Sequence, residues 1–245
     1  MDILYILGTG STHDNAELRY SLRSICRHGR QLGRVYLVGE CPDFINRDQL
    51  IYIPCADVYQ RKHKNILHKV ETAMEQVNMP EHFLISSDDH FYLRDTNFDY
   101  LPVYYRKEQI PYDITEDQKR NPYFRSLVQT RDLLEAAHAP VYQTNPHCNT
   151  HWDMDIYRRY RHLFDKAYQC PDGGEMNCLM GNLLIANGWQ YMSFNDSKLD
   201  RPRTLKANDE RTKNCECISC TDRWFDNLGE EWLARRFPDK CRFEK

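Results

Sequence analysis

Short apolar runs alternate with amphipathic segments from the N-terminus to Leu93. Residues 2–7, rich in Ile, Leu and Tyr, predict a strand, and Leu18, Leu22, Ile25 and Cys26 then recur at helical spacing behind a possible cap at Asp14 or Asn15. Residues 35–38 and 50–53 predict two more strands. Ile66, Leu67, Val70, Ala73, Met74 and Val77 form one face of a second long helix, which Pro80 ends, and residues 83–86 return as a strand. Strand, helix, strand, strand, helix, strand is a nucleotide-binding type of half-fold, with parallel strands joined by crossover helices.

The second half is less regular. Residues 100–105 predict a strand, 106–120 an exposed charged insertion, and 126–137 a helix stopped before Pro140. Helices are expected over 153–166 and 176–186, and Gly188 leads into a strand over 189–194. Residues 200–214 are polar enough for a mobile loop, and a cysteine-rich turn and a last amphipathic helix near 222–236 follow. The expected organisation is α/β: a mostly parallel, Rossmann-like sheet flanked by helices over 1–200, with a small cysteine-rich extension over 201–245 packed on it.

With 33 basic and 36 acidic residues the net charge is −3, so no global basic field argues for a nucleic-acid partner. No apolar run reaches the roughly 18 residues of a membrane span. The start MDILYILGTGS lacks the basic flank and cleavage site of a signal peptide, so a soluble, cytoplasmic protein is expected. The ten cysteines are mostly dispersed, which suits free thiols. Cys215, Cys217 and Cys220, spaced C-x-C-x₂-C, could fill three corners of a structural zinc tetrahedron with Cys241 as the fourth; spectator thiols and a disulfide are the alternatives.

The stretch FLISSDDHFYL carries the sharpest chemistry. Asp88 and Asp89 follow a core strand, where ligands collect in α/β sheets. Adjacent carboxylates raise each other's pKa unless a cation is near, so Mg²⁺ or Mn²⁺ holding a diphosphate is the expected companion, against a capped turn. Gly8, Thr9, Gly10 and Ser11 form a turn able to bring N–H groups to a phosphate. Arg19 and Arg23 share a helix face and suit phosphate, or simply solvent. His147 and His151 are four apart, but Pro146 and Asn149-Thr150 read as loop, which argues against a helical zinc pair.

The segments NAELRYSLRSI (residues 15–25), VYLV (35–38) and EHFLISSDDHF (81–91), in this order, resemble the second conserved region of the Stealth family. Stealth proteins include capsular-polysaccharide phosphotransferases and the lysosomal-enzyme N-acetylglucosamine-1-phosphotransferase. The resemblance implies a GT-A-like fold and a divalent metal on Asp88 and Asp89. It also implies transfer of a sugar-1-phosphate from a UDP-sugar to a hydroxyl of a glycan-type acceptor, in surface or capsular polysaccharide synthesis. HWDMD (151–155) and MSFNDSKLD (192–200) resemble the third and fourth regions, which would bring His151, Asn195 and Asp196 into the site. His151 or Asp196 would deprotonate the acceptor, Arg19 and Arg23 would neutralise the diphosphate, and Gly8 to Ser11 with Asn15 and Asn195 would bind substrate. Ser87 stands where the family carries Asn. Transfer of the sugar itself and a non-catalytic carbohydrate-binding module are the alternatives.

Overall fold

The computed structural model describes all residues of the chain except Gly10, Thr12, Glu108, Asp196, Ser197 and Pro202. Its centre is a five-stranded sheet of β1 (Ile3–Leu7), β2 (Val35–Gly39), β3 (Ile51–Pro54), β4 (His82–Ser86) and β5 (Thr150–Asp153), ordered β3-β2-β1-β4-β5. The first four strands are parallel, with Ile3 opposite Val35 and Leu84, while β5 runs antiparallel to β4 with His151 opposite Leu84. The expected class is therefore the one observed: α/β, with a mostly parallel sheet flanked by helices.

Strand period two sorts the side chains between the two faces. Ile3, Tyr5 and Leu7 meet Leu18, Leu22 and Ile25 of α1 (Ala16–His28). On the other face Leu4, Tyr36, Val38 and Phe83 meet Leu67, Val70 and Ala73 of α2 (Lys62–Gln76). The same face also carries α3 (Pro122–Ala136) and α4 (Met176–Ala186), through Leu127, Leu134, Leu179 and Leu183. Putting α1 and α2 on opposite faces makes the chain leave β1 one way and reach β4 the other, which opens a crevice between those strands.

The second half departs from expectation in ways that tertiary contacts explain. His151 lies in edge strand β5 rather than in a loop, and Asp153 caps a short helix Met154–Arg159 by accepting from Ile156 N at 2.8 Å. The helix expected over 153–166 breaks at Tyr160 and resumes as Arg161–Gln169. The supposed mobile loop holds a helix, Leu205–Thr212, capped by Thr204 and anchored where Trp224 Nε1 donates to buried Asn208 Oδ1 at 3.2 Å. The cysteine-rich turn is a strand, Cys217–Cys220, antiparallel to Phe91–Tyr92. The last helix is segmented: a π-turn, Phe225–Gly229, precedes Glu230–Arg236, and Gly229 lies so close to the Trp224 ring that a Cβ would collide with it. The final segment builds a third core, in which Trp224, Phe225, Trp232 and Leu233 pack with Tyr20, Phe91 and Leu93. Among the described residues no helix is long and apolar enough to cross a membrane.

Candidate functional site

A cavity of about 650 Å³ opens at the carboxyl ends of β1 and β4. Ile6 and Gly8 line it from β1 and the loop after it, and Ile85, Ser87, Asp88 and Asp89 from β4 and its turn. Because α1 and α2 leave on opposite faces here, neither helix fills the crevice, which is why a ligand space forms at this switch in strand order.

Asp88 and Asp89 form one wall. Burial raises the pKa of both carboxyls, and the neighbouring Asp89 charge helps push Asp88 up to about 6. Lys62 and Lys198, also in the lining, partly offset this. Glu17, in the first turn of α1, faces the same space; it is buried, its Oε2 has no partner among the described residues, and burial raises its pKa. Asn15 holds the N-cap position in a left-handed conformation, φ 57°, yet its side chain makes no cap bond. Its Oδ1 is buried without a described partner and its residue lines the cavity. Behind the acidic pair, burial pushes the His90 imidazole down to about 3, so at neutral pH it is uncharged and gives no ion pair to Asp89.

The turn after β1 is organised differently from the expected phosphate cradle. Thr9 donates its N–H and its hydroxyl to Asp57 Oδ2, at 3.1 and 3.0 Å. Ser11 Oγ accepts from the N–H groups of His13 and Asn15, at 3.2 and 3.0 Å. Asp57 is also paired with Lys69 of α2. Burial alone would raise the Asp57 carboxyl, but the bonds from Lys69 and Thr9 hold it below its ordinary value.

The chain is similar to solved glycosyltransferases. One is the galactosyltransferase LgtC in complex with donor and acceptor sugar analogues, at a TM-score of 0.49 and 10% identity, covering 98% of this chain and 96% of that one. Another is a glycosyltransferase involved in glycosylation of the major capsid of PBCV-1, at a TM-score of 0.47 and 12% identity, covering 94% of this chain and 98% of that one. No family model matches the sequence, and no curated protein matches it.

Of the residues expected in the site, the structure brings Asp88, Asp89, Gly8, Thr9, Ser11 and Asn15 to the cavity. Gly10 and Asp196 lie outside the described residues. Arg19 and Arg23 are not in the lining. Arg23 donates to both oxygens of Glu244, at 2.7 and 2.8 Å, and to Phe237 O at 2.9 Å, while Arg19 lies 4.5 Å over the Phe44 ring. Helix geometry explains both: Arg23, six residues beyond Glu17, is displaced about 9 Å down the helix from the cavity, and Arg19, two residues beyond, points about 200° around it.

His151 is likewise elsewhere. It is buried on β5, where its Nε2–H donates to Leu101 O at 2.8 Å and its Nδ1 accepts from His82 at 3.0 Å. Burial, then His82, lowers its pKa to about 4. Asn195 is exposed and outside the lining.

The four cysteines do not converge. Cys217 packs in the sheet–α1 core, Cys215 and Cys220 pack in the C-terminal core, and the free thiol of Cys241 is hydrogen-bonded to that of Cys26. Burial pushes the Cys217 and Cys220 thiols up, and among the described residues no three His, Cys, Asp or Glu side chains group as metal ligands. Sequence reasoning passed over Glu17, Asp57, Lys69, Lys62, Lys198 and Asp222, all in the lining. For Lys69 there was a signal: a lone cation among the apolar positions Ile66, Leu67, Val70 and Ala73.

Proposed function

We propose that the cavity binds a nucleotide-sugar and that the chain is a transferase passing the sugar to an acceptor hydroxyl. The observation that carries this reading is the Asp88–Asp89 pair at the end of β4, in a cavity at the β1/β4 switch.

The donor set fits a hard divalent cation. Two carboxylates whose pKa values burial raises lose that penalty when a cation lies between them. Among the described residues no three His, Cys, Asp or Glu side chains converge into a metal cage. The Asp88–Asp89 pair suits Mg²⁺ or Mn²⁺, which take one or two carboxylates and complete their shell with water and phosphate oxygens. When bound, such an ion would neutralise the diphosphate that leaves from the sugar carbon. Lys62 and Lys198 add positive charge beside the leaving group, and Glu17 accepts the proton of the attacking hydroxyl.

Transfer of sugar-1-phosphate is the second reading, favoured by the Stealth-like NAELRYSLRSI and EHFLISSDD segments. It ranks second because Arg19, Arg23 and His151, the groups the resemblance implies for phosphoryl chemistry, face away from the cavity. Calorimetry with UDP, with and without Mn²⁺, on the native chain and the Asp88→Ala/Asp89→Ala double variant tests the site. Metal-dependent binding lost in the variant is expected; no binding to either protein leaves only a non-catalytic module. With a UDP-sugar and an acceptor, release of UDP supports sugar transfer and release of UMP supports sugar-phosphate transfer.

A further inference from the structure

Lys69 lies mid-way along α2 and is only 2% exposed, yet it lines the cavity. Its ammonium carries three donors, and among the described residues its one partner is Asp57 Oδ1. Asp57 Oδ2 is committed to the Thr9 N–H and hydroxyl. A carboxylate offers about four lone-pair sites, so one acceptor on Oδ1 remains beside two spare ammonium donors. Buried polar capacity left unused costs free energy unless a ligand takes it up.

The chemistry of that remainder is specific. Lys69 and Asp57 cancel in charge, so the pair suits a neutral oxygen function better than a phosphate. Two donors beside one acceptor match a vicinal diol: one hydroxyl donates to Asp57 while both oxygens accept from Lys69. Position agrees. Lys69 Cε is 3.2 Å from where a Cβ on Gly39 would stand, at the tip of β2, whereas Asp88 and Asp89 follow β4 on the far side of β1. The loop carrying Asp57 is fixed in advance, since Asn65 Oδ1 accepts from the N–H groups of Val58 and Tyr59 at 3.0 and 2.8 Å.

We propose that Lys69 and Asp57 form the subsite for the ribose diol of the bound nucleotide, which rests on the nucleotide reading above. The nucleoside then lies over β1 and β2 and its diphosphate reaches the acidic pair.

Calorimetry with UDP and 2′-deoxy-UDP in Mn²⁺ tests it on the native chain, Asp57→Asn and Lys69→Met. The native chain is expected to bind UDP about tenfold more tightly than the deoxy form, one hydrogen-bonded hydroxyl's worth. Lys69→Met should bind the two nucleotides equally, and Asp57→Asn, which loses the acceptor but keeps Lys69, should retain at most about a threefold preference. A native chain without ribose preference, or a preference undiminished in the variants, overturns the subsite. Failure of the native chain to bind UDP at all overturns the nucleotide reading itself. Asp88→Ala should weaken both nucleotides alike, separating the diphosphate end from the ribose end. Should Lys69→Met not fold, Asp57→Asn decides alone, because its side chain is 24% exposed on a loop.

Discussion

Replacing Asp88 with the isosteric, uncharged Asn should stabilise the metal-free protein while removing metal binding. The Asp88 carboxyl is raised from its ordinary 3.8 to about 6, first by burial and then by Asp89. At 1.36 kcal/mol per pH unit, that gap of about two units sets an upper bound of about 3 kcal/mol on the cost of ionising Asp88 in the fold. Its side chain is only half-buried, so solvent screening leaves about 1–2 kcal/mol. The sign follows from proton counting: between pH 4 and 6 the folded chain holds more protons than the unfolded one, so native stability falls as pH rises through that window and is level above it. Asp88→Asn should escape the fall. Urea denaturation in EDTA should give it about 1–2 kcal/mol over the native chain at pH 8, shrinking to a few tenths near pH 4. Added Mn²⁺ should stabilise the native chain alone. No gain at pH 8, or an equal gain at pH 4, would refute ionisation of Asp88 as the source.

Arg23→Ala removes the bidentate partner of a Glu244 carboxylate whose side chain is 1% exposed, leaving it Arg19 at 3.8 Å and the Cys241 N–H, so urea denaturation should show a loss of about 3 kcal/mol. UDP affinity of the folded fraction should stay within about threefold, and a larger fall with stability intact would restore Arg23 to the phosphate site. His151→Asn loses the bond to Leu101 and should cost about 1–2 kcal/mol, with turnover of the folded enzyme nearly unchanged. A drop of about 100-fold or more would mark His151 as the base after all.

The half-fold was legible because its signals are local: short continuous apolar runs in β1, β2 and β4, period 3.6 in α1 and α2. Asp88 and Asp89 were legible for the same reason, since adjacency to a strand end suffices to place them. Arg19 and Arg23 show where local information stops. Spacing reveals that two side chains share a helix face, but not that Glu244 and Phe44 occupy that face. The helix Leu205–Thr212 escaped notice because its polar sequence is held by tertiary bonds, Trp224 to Asn208 and Trp232 to Asp209. Glu17 was hidden within the segment that drew attention to its arginines, although its place in the first turn of α1 puts it nearest the carboxyl end of β1.

The Arg23–Glu244 pair has a kinetic side. Its partners are 221 residues apart, and closure entropy grows so slowly with length, about 0.6 kcal/mol per doubling, that equilibrium barely registers the distance. Synthesis does register it. The whole span between them must be made before Glu244 exists, and until residues 215–237 arrive Tyr20, Phe91 and Leu93 lack their partners from the third core. While that span is being made the nascent chain therefore carries an uncovered apolar patch at Tyr20, Phe91 and Leu93, a surface for chaperones or for aggregation.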